Sequence, residues 1–244
     1  MLSYSELKPQ AREFLAATGL TVDEFEQLLP AFATAYRQRY PTDRTQAGQP
    51  RQRRVGGGAK GGLAAAEDRL LFILVYQKTQ PLQVMHALQF GLSQPQANYW
   101  IHRLLPVLQQ ALADLGHCPE REGVRVVDHR FATEGGAALA LDGTERRRQR
   151  PTDDAHQRAH YSGKKKTHTD KNLLLVNEAT RKVVYLSPTA CGKTHDKKLA
   201  DEAAVAYPVN ATLDQDTGFQ GYAPEDVLVR QPKKAPGARV EHRG

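Results

Sequence analysis

The chain has 244 residues, 40% of them hydrophobic, and a formal net charge of +7 at pH 7. That apolar content excludes a wholly disordered chain, and no apolar run approaches the ~20 residues of a membrane-spanning helix. The two cysteines, Cys118 and Cys191, lie far apart and outside any CxxC, which excludes a disulfide framework or a cysteine zinc site.

The N-terminus, MLSYSELKPQ, lacks the basic-then-apolar pattern of a secretory signal, so a soluble, intracellular protein in a reducing compartment is expected. Positive charge collects at 51–60, 146–150, 164–166 and 229–239. Such a balance points to a polyanionic partner, most often nucleic acid.

Residues 5–40 read as two short helices. Leu15, Leu20, Phe25, Leu28, Leu29, Phe32 and Tyr36 recur at helical spacing, Gly19 divides the run, and Thr21 with Glu24 forms a capping-box signature. We take 1–40 as an N-terminal helical segment and 41–63 as a basic, glycine-rich linker. Within that linker Arg51, Arg53, Arg54 and Lys60 need no fixed fold to contact DNA phosphates.

Residues 64–116 read as helices again. One opens at Ala66 and runs through Val75, and a second restarts at Pro81, with Leu82, Val84, Met85 and Leu88 as its apolar face. Gly91 supplies a tight bend and Ser93 an N-cap for a third helix over Gln94 to Leu112. Short helix, glycine turn and polar-fronted helix make the pattern of a helix-turn-helix; a plain helical hairpin has the same pattern. Gln94, Gln96, Asn98, Tyr99 and Arg103 are the candidate DNA contacts on the third helix, where amides suit base edges or phosphates.

Residues 124–230 alternate differently and predict a mixed α/β sheet, the basis of a domain we take as 117–244. Val124–Val127 reads as a short strand and Ala137–Leu141 as a buried one. Thr167–Asn177 and Lys182–Ser187 form a hairpin. Thr194 caps a helix to about Ala206, and NATLDQDTGF and Val227–Arg230 supply the last strands.

Two acids follow strand-like segments, Asp142 and Asp216, each with a glycine close behind. If those strands are neighbours, the carboxylates meet, repel and favour a divalent cation; oxygen donors suit Mg²⁺ or Mn²⁺. Such ions serve phosphodiester chemistry, with Arg146, Arg147, Arg148, Arg150, Lys164, Lys165 and Lys166 placed to hold a DNA backbone. Strand alternation sends Asp214 to the same side as Asp216, so periodicity does not choose between them. His195 and Asp196 read as helix-start residues, His160, Tyr161 and His168 as neighbours of the lysine cluster, and both cysteines as inert.

LDGTERRRQRP, HYSGKKKTHTDKN, GKTHDKKLADE and DQDTGFQGYAP followed by VLVRQPKK occur in an order that resembles insertion-sequence transposases of the DDE superfamily, in the branch that also resembles Harbinger elements. The upstream EDRLLFILVYQKTQPLQVMHALQFGLSQPQANYWIHRLLPVL resembles the helix-turn-helix before that domain, and the whole likeness spans about residues 64–234. The resemblance implies an RNase H-like catalytic fold, Mg²⁺ or Mn²⁺, terminal inverted repeats and target DNA as partners, a homo-oligomer when active, no membrane, and a bacterial cytoplasmic, nucleoid-associated location. It assigns the first acid to Asp142 and the second to Asp216 rather than Asp214. The family's third acid is a glutamate on a helix well beyond QPKK; here Glu241, in a VEH triplet, comes sooner, so the expectation is a C-terminally truncated transposase. A DNA-binding regulator without catalysis is the alternative.

Overall fold

Capping and glycine chemistry set the first helices. In a computed structural model that describes residues 1–43, 49–50 and 63–232, helix α1 spans Tyr4–Leu7, α2 Ala11–Thr18 and α3 Val22–Arg39. Gly19 ends α2 in the left-handed conformation, φ 77°. The Thr21–Glu24 capping box opens α3, an arrangement worth about 1 kcal/mol. Helix α4 spans Ala66–Thr79, α5 Gln83–Gln89 and α6 Gln94–Asp114. Gly91, at φ 63°, makes the bend between α5 and α6, and Ser93 with Gln96 forms a second capping box. No helix among the described residues is long and apolar enough to cross a membrane.

The chain divides into two compact units, Met1–Cys118 and Pro119–Gly244. In the first, α1 to α6 share one core built on Phe14, Phe25, Phe32, Phe72, Phe90 and Leu104, so the segments before and after the 41–63 stretch pack as one body. The expected apolar face of α5 is a correction. Leu82, Val84, Met85 and Leu88 are exposed, and α5 buries His86 and Ala87 instead. His86 packs against Phe72, Tyr76 and Phe90, and that aromatic box sets which side of the helix faces the core.

The second unit is a seven-stranded mixed sheet with helices. Strand β1 spans Ala138–Arg147, β2 Tyr161–Ser162, β3 Thr167–Asn177, β4 Val183–Leu186, β5 Ala190–Cys191, β6 Thr212–Gln215 and β7 Leu228–Arg230. Helix α7 spans Asp154–His160 and α8 Asp196–Ala203. The order is β2-β3-β1-β6-β7, with β4 and β5 also paired to β3. β1 runs antiparallel to β3 and parallel to β6, which runs parallel to β7. This is the α/β mixed sheet, preceded by an all-helical region, that the sequence leads one to expect.

Alternation decides the two faces. Leu139 and Leu141 of β1, Leu173 and Leu175 of β3 and Leu213 of β6 are buried, in one core with Ala200 of α8 and Phe219. Ala140, Asp142 and Asp214 lie on the other face.

Three local expectations differ from the structure. Gly123–Asp128 is a 3₁₀ turn, not a strand. Gly123 and Val126, three apart, are its buried residues, the spacing of a three-residue turn. β1 runs five residues past Asp142, because β3 is long enough to pair with it as far as Arg147↔Thr169. Lys164–Lys166 form the turn between β2 and β3, with Lys166 at φ 51°. Helix α8 has His195, not Thr194, as its N-cap residue, since the Thr194 carbonyl is taken by the Lys171 ammonium; it ends at Ala203, with Ala204 left-handed at φ 44°.

Candidate active site

The parallel pairing of β1 with β6 brings two acids together. Leu141 is in register with Gln215, so the next residues, Asp142 and Asp216, come abreast on the face away from Leu141. Both line one cleft of about 640 Å³, together with Asp214, Arg230, Gln231 and Pro232. Both are exposed. The backbone N–H of Gly218 donates to Asp216 Oδ1 at 2.8 Å and fixes one of its two oxygens. The side chain of Gln231 donates to the Asp216 carbonyl, which ties the strand end to the chain after β7.

Asp214 has a different neighbour. Arg230 of β7 donates to both of its oxygens, at 2.5 and 3.0 Å, and its other contact is Glu178 at 3.3 Å. A bidentate guanidinium satisfies most of a carboxylate's acceptor capacity. Charge therefore separates the two acids that periodicity leaves equivalent: Asp214 is neutralised, and Asp216 keeps oxygen toward the cleft.

Behind the pair, on the buried face, sits a charged cluster that the sequence reading passed over. Lys171 lies directly across from Glu145 in the β1–β3 register. Its ammonium is 3.4 Å from Glu145, 3.0 Å from Asp196 and 2.8 Å from the Thr194 carbonyl. The Lys171 side chain is only 7% exposed, so these contacts replace its hydration. Burial alone raises the Glu145 carboxyl, but hydrogen bonds from Ser162, Lys171 and Thr169 and the Lys171 charge outweigh it and hold the group below its ordinary range. The signal was present in the sequence: Lys171 alternates with Leu173 and Leu175, and Glu145 with Leu139, Leu141 and Gly143. A charge on a buried face requires a partner.

The other predicted contacts scatter. Arg146 donates to Asn172 at 2.8 Å, Arg148 to Asp170 at 2.8 Å and Arg150 to Gln157 at 3.0 Å, while Arg147 is exposed at the end of β1. Lys164, Lys165 and Lys166 are exposed, but their turn is roughly 25 Å along the strand from Leu174, the partner of Asp142. They do not stand over the acids. In the helical unit Gln94 and Asn98 donate to Gln83 and join α5 to α6, and Gln96 serves the Ser93 cap. Tyr99 is exposed. Arg103 is half-buried and stacks 3.4 Å from the Tyr40 ring centroid, with the Tyr36 hydroxyl at 3.3 Å. Arg53, Arg54, Lys60 and Glu241 lie outside the described residues.

Two carboxylates in an open cleft form an oxygen-only donor set of the kind hard divalent cations use. Among the described residues no group of three or more His, Cys, Asp or Glu side chains comes together to hold a metal. The pair offers oxygen donors of the type such a cation takes.

Residues 141–243 match the family model described as DDE superfamily endonuclease. Residues 62–114 match the one described as helix-turn-helix of DDE superfamily endonuclease. The first match begins one residue before Asp142, and the second takes in α4, α5 and α6. No curated protein and no solved structure matches the chain.

Proposed function

The chain is a transposase-like endonuclease of the DDE superfamily with a helix-turn-helix ahead of it, and from that premise we propose that it is a DNA transposase of the Harbinger-like branch. In this reading the helix-turn-helix binds the terminal inverted repeats, and the sheet unit cleaves and transfers strands with Mg²⁺ or Mn²⁺. The active form is a homo-oligomer, and it works at the bacterial nucleoid. One observation carries the reading: the parallel register that sets Asp142 abreast of Asp216 in a shared cleft.

Asp142 and Asp216 are the residues that would hold the cation. A divalent ion bound there supplies Lewis-acid stabilisation of the attacking and leaving oxygens of a phosphodiester. The protein's own part is to aim the donors. The Gly218 N–H turns the Asp216 carboxylate, and Arg230 removes Asp214 from competition. Arg147 and the lysine turn, both exposed, supply charge along β1 for the DNA backbone.

The test is nicking of supercoiled plasmid, and of a duplex carrying the element's ends, in Mg²⁺ and in Mn²⁺. Asp142→Asn and Asp216→Asn should each lower the rate by at least about a hundredfold, and Asp214→Asn by no more than a few fold. Cleavage that survives both of the first two substitutions would overturn the assignment. The second reading, a regulator that binds DNA without cutting it, rests on the helix-turn-helix match. A mobility shift on element ends that persists in EDTA, with no nicking in either metal, selects it.

A further inference from the structure

A second constellation lies away from the acid pair, around the strand pairing of β5 with β3. Asp170 of β3 is directly across from Cys191 of β5, and His160, the last residue of α7, reaches both. His160 Nε2 is 3.5 Å from Cys191 Sγ, and His160 Nδ1 is 3.0 Å from Asp170 Oδ1. Three segments separated in sequence thus set a thiol, an imidazole and a carboxylate in line.

The contacts settle which ring nitrogen carries the proton. Nδ1 faces two acceptors, Asp170 Oδ1 and the Thr169 carbonyl at 3.3 Å, so Nδ1 is the donor. Nε2 is then a bare acceptor turned toward the thiol. Arg148 Nη1 lies 3.1 and 3.2 Å from the two ring nitrogens, near-equal distances that place it over the ring rather than along either lone pair. It donates to Asp170 at 2.8 Å, and so pins the carboxylate that orients the imidazole.

We propose that Cys191 is a reactive thiol, with His160 as its base and Asp170 as the residue that positions His160, and that it forms mixed disulfides with low-molecular-weight disulfides. A nucleophile within reach of a base that a third group orients is the geometry such activation needs. Cys191 is half-buried rather than enclosed, so a small disulfide can reach it. As the sulfur attacks, its proton passes to His160 Nε2. A new S–S bond forms to one half of the disulfide, the old S–S bond breaks, and the departing thiolate takes the proton from His160 to leave as a thiol. In Cys118 of the same chain Sγ lies 3.8 Å from the Gln109 carbonyl, and burial pushes the thiol up.

The full chain is mixed with 5,5′-dithiobis(2-nitrobenzoate), the released thionitrobenzoate is followed by absorbance, and peptide mass spectrometry assigns the modified cysteine. Two phases are expected, Cys191 reacting at least about tenfold faster than Cys118. Cys191→Ser should remove the fast phase. Asp170→Asn and His160→Asn should each slow it about tenfold or more, with unchanged circular dichroism. The wild-type ratio of the two rates covers the case in which those variants do not fold. Reaction of Cys191 no faster than Cys118 overturns the proposal.

Discussion

The carboxylate of Asp196 occupies the space over Gly143 that any other residue's Cβ would fill, with Oδ1 2.6 Å from that position. Gly218 makes the second wall: a Cβ there would lie 2.8 Å from Asp196 Oδ2 and 2.9 Å from Asp216 Oδ1. Asp196 cannot simply swing aside, because Lys171 holds it at 3.0 Å. The two glycines that follow the candidate acids therefore serve packing, and they couple Asp196 to the strand end that carries Asp216.

Gly143→Ala and Gly218→Ala should each lower stability by about 1–3 kcal/mol, the usual cost of overpacking. Urea titration followed by circular dichroism measures it. Gly163→Ala, where nothing lies within 4 Å, is the control and should change little. Equal effects at all three positions would mean that the cradle around Asp196 is not tight.

Lys171→Met leaves Glu145 and Asp196 without their cation, and removing one partner of a buried pair costs about 3 kcal/mol or more. The same cluster sets an acid limit for the sheet unit. The folded state holds Glu145 below its ordinary value of 4.5, so its stabilisation is present above about pH 4.5 and is lost as pH falls through the lower folded value. Acid unfolding of the sheet unit should begin below about pH 4.5, and in Glu145→Gln the step should shrink. A steady loss beginning near neutrality would point to another group.

The helical unit should fail earlier in acid. His86 is fully buried among Phe72, Tyr76 and Phe90. Burial pushes its imidazole below 6.5, and the nearby Gln89 side chain and Phe72 backbone offset this only in part. The unfolded chain then takes up the proton first, so stability is full above about pH 6.5 and declines below it, by at most about 1.4 kcal/mol per pH unit. Trp100, the single tryptophan, lies in α6 and reports this unit alone. Denaturation followed by its fluorescence should weaken between pH 6.5 and 5, and His86→Phe should remove that dependence.

What the sequence disclosed follows from which forces are local. The Thr21 and Ser93 caps, the Gly19 and Gly91 breaks and the β3–β4 hairpin rest on neighbours within a few residues, and each is found in the structure. The α5 face was misread because its orientation depends on Phe72 in α4 and Phe90 after the helix, contacts that a seven-residue periodicity does not contain. Asp142 and Asp216 were visible as acids, but their shared cleft depends on a β1–β6 register linking residues more than 70 positions apart. The Lys171 cluster and the Cys191–His160–Asp170 line are likewise long-range, and a strand read alone shows only an odd charge or a plain cysteine.

Arg230 offers the sharpest probe of how the cleft distinguishes its acids. From β7, its guanidinium binds both oxygens of Asp214, which precedes the proposed donor Asp216 by two residues. Arg230→Ala releases that carboxylate on the same face as Asp216 and adds a third acid to the cleft. Isothermal titration with Mn²⁺ should then show tighter binding than wild type, by about tenfold for one added carboxylate donor. In the Asp216→Asn background, Arg230→Ala should restore measurable binding, because Asp214 can substitute. Adding Asp214→Asn to the double variant should abolish it again. Unchanged Mn²⁺ affinity in Arg230→Ala would show that the cleft does not gather cations through these residues.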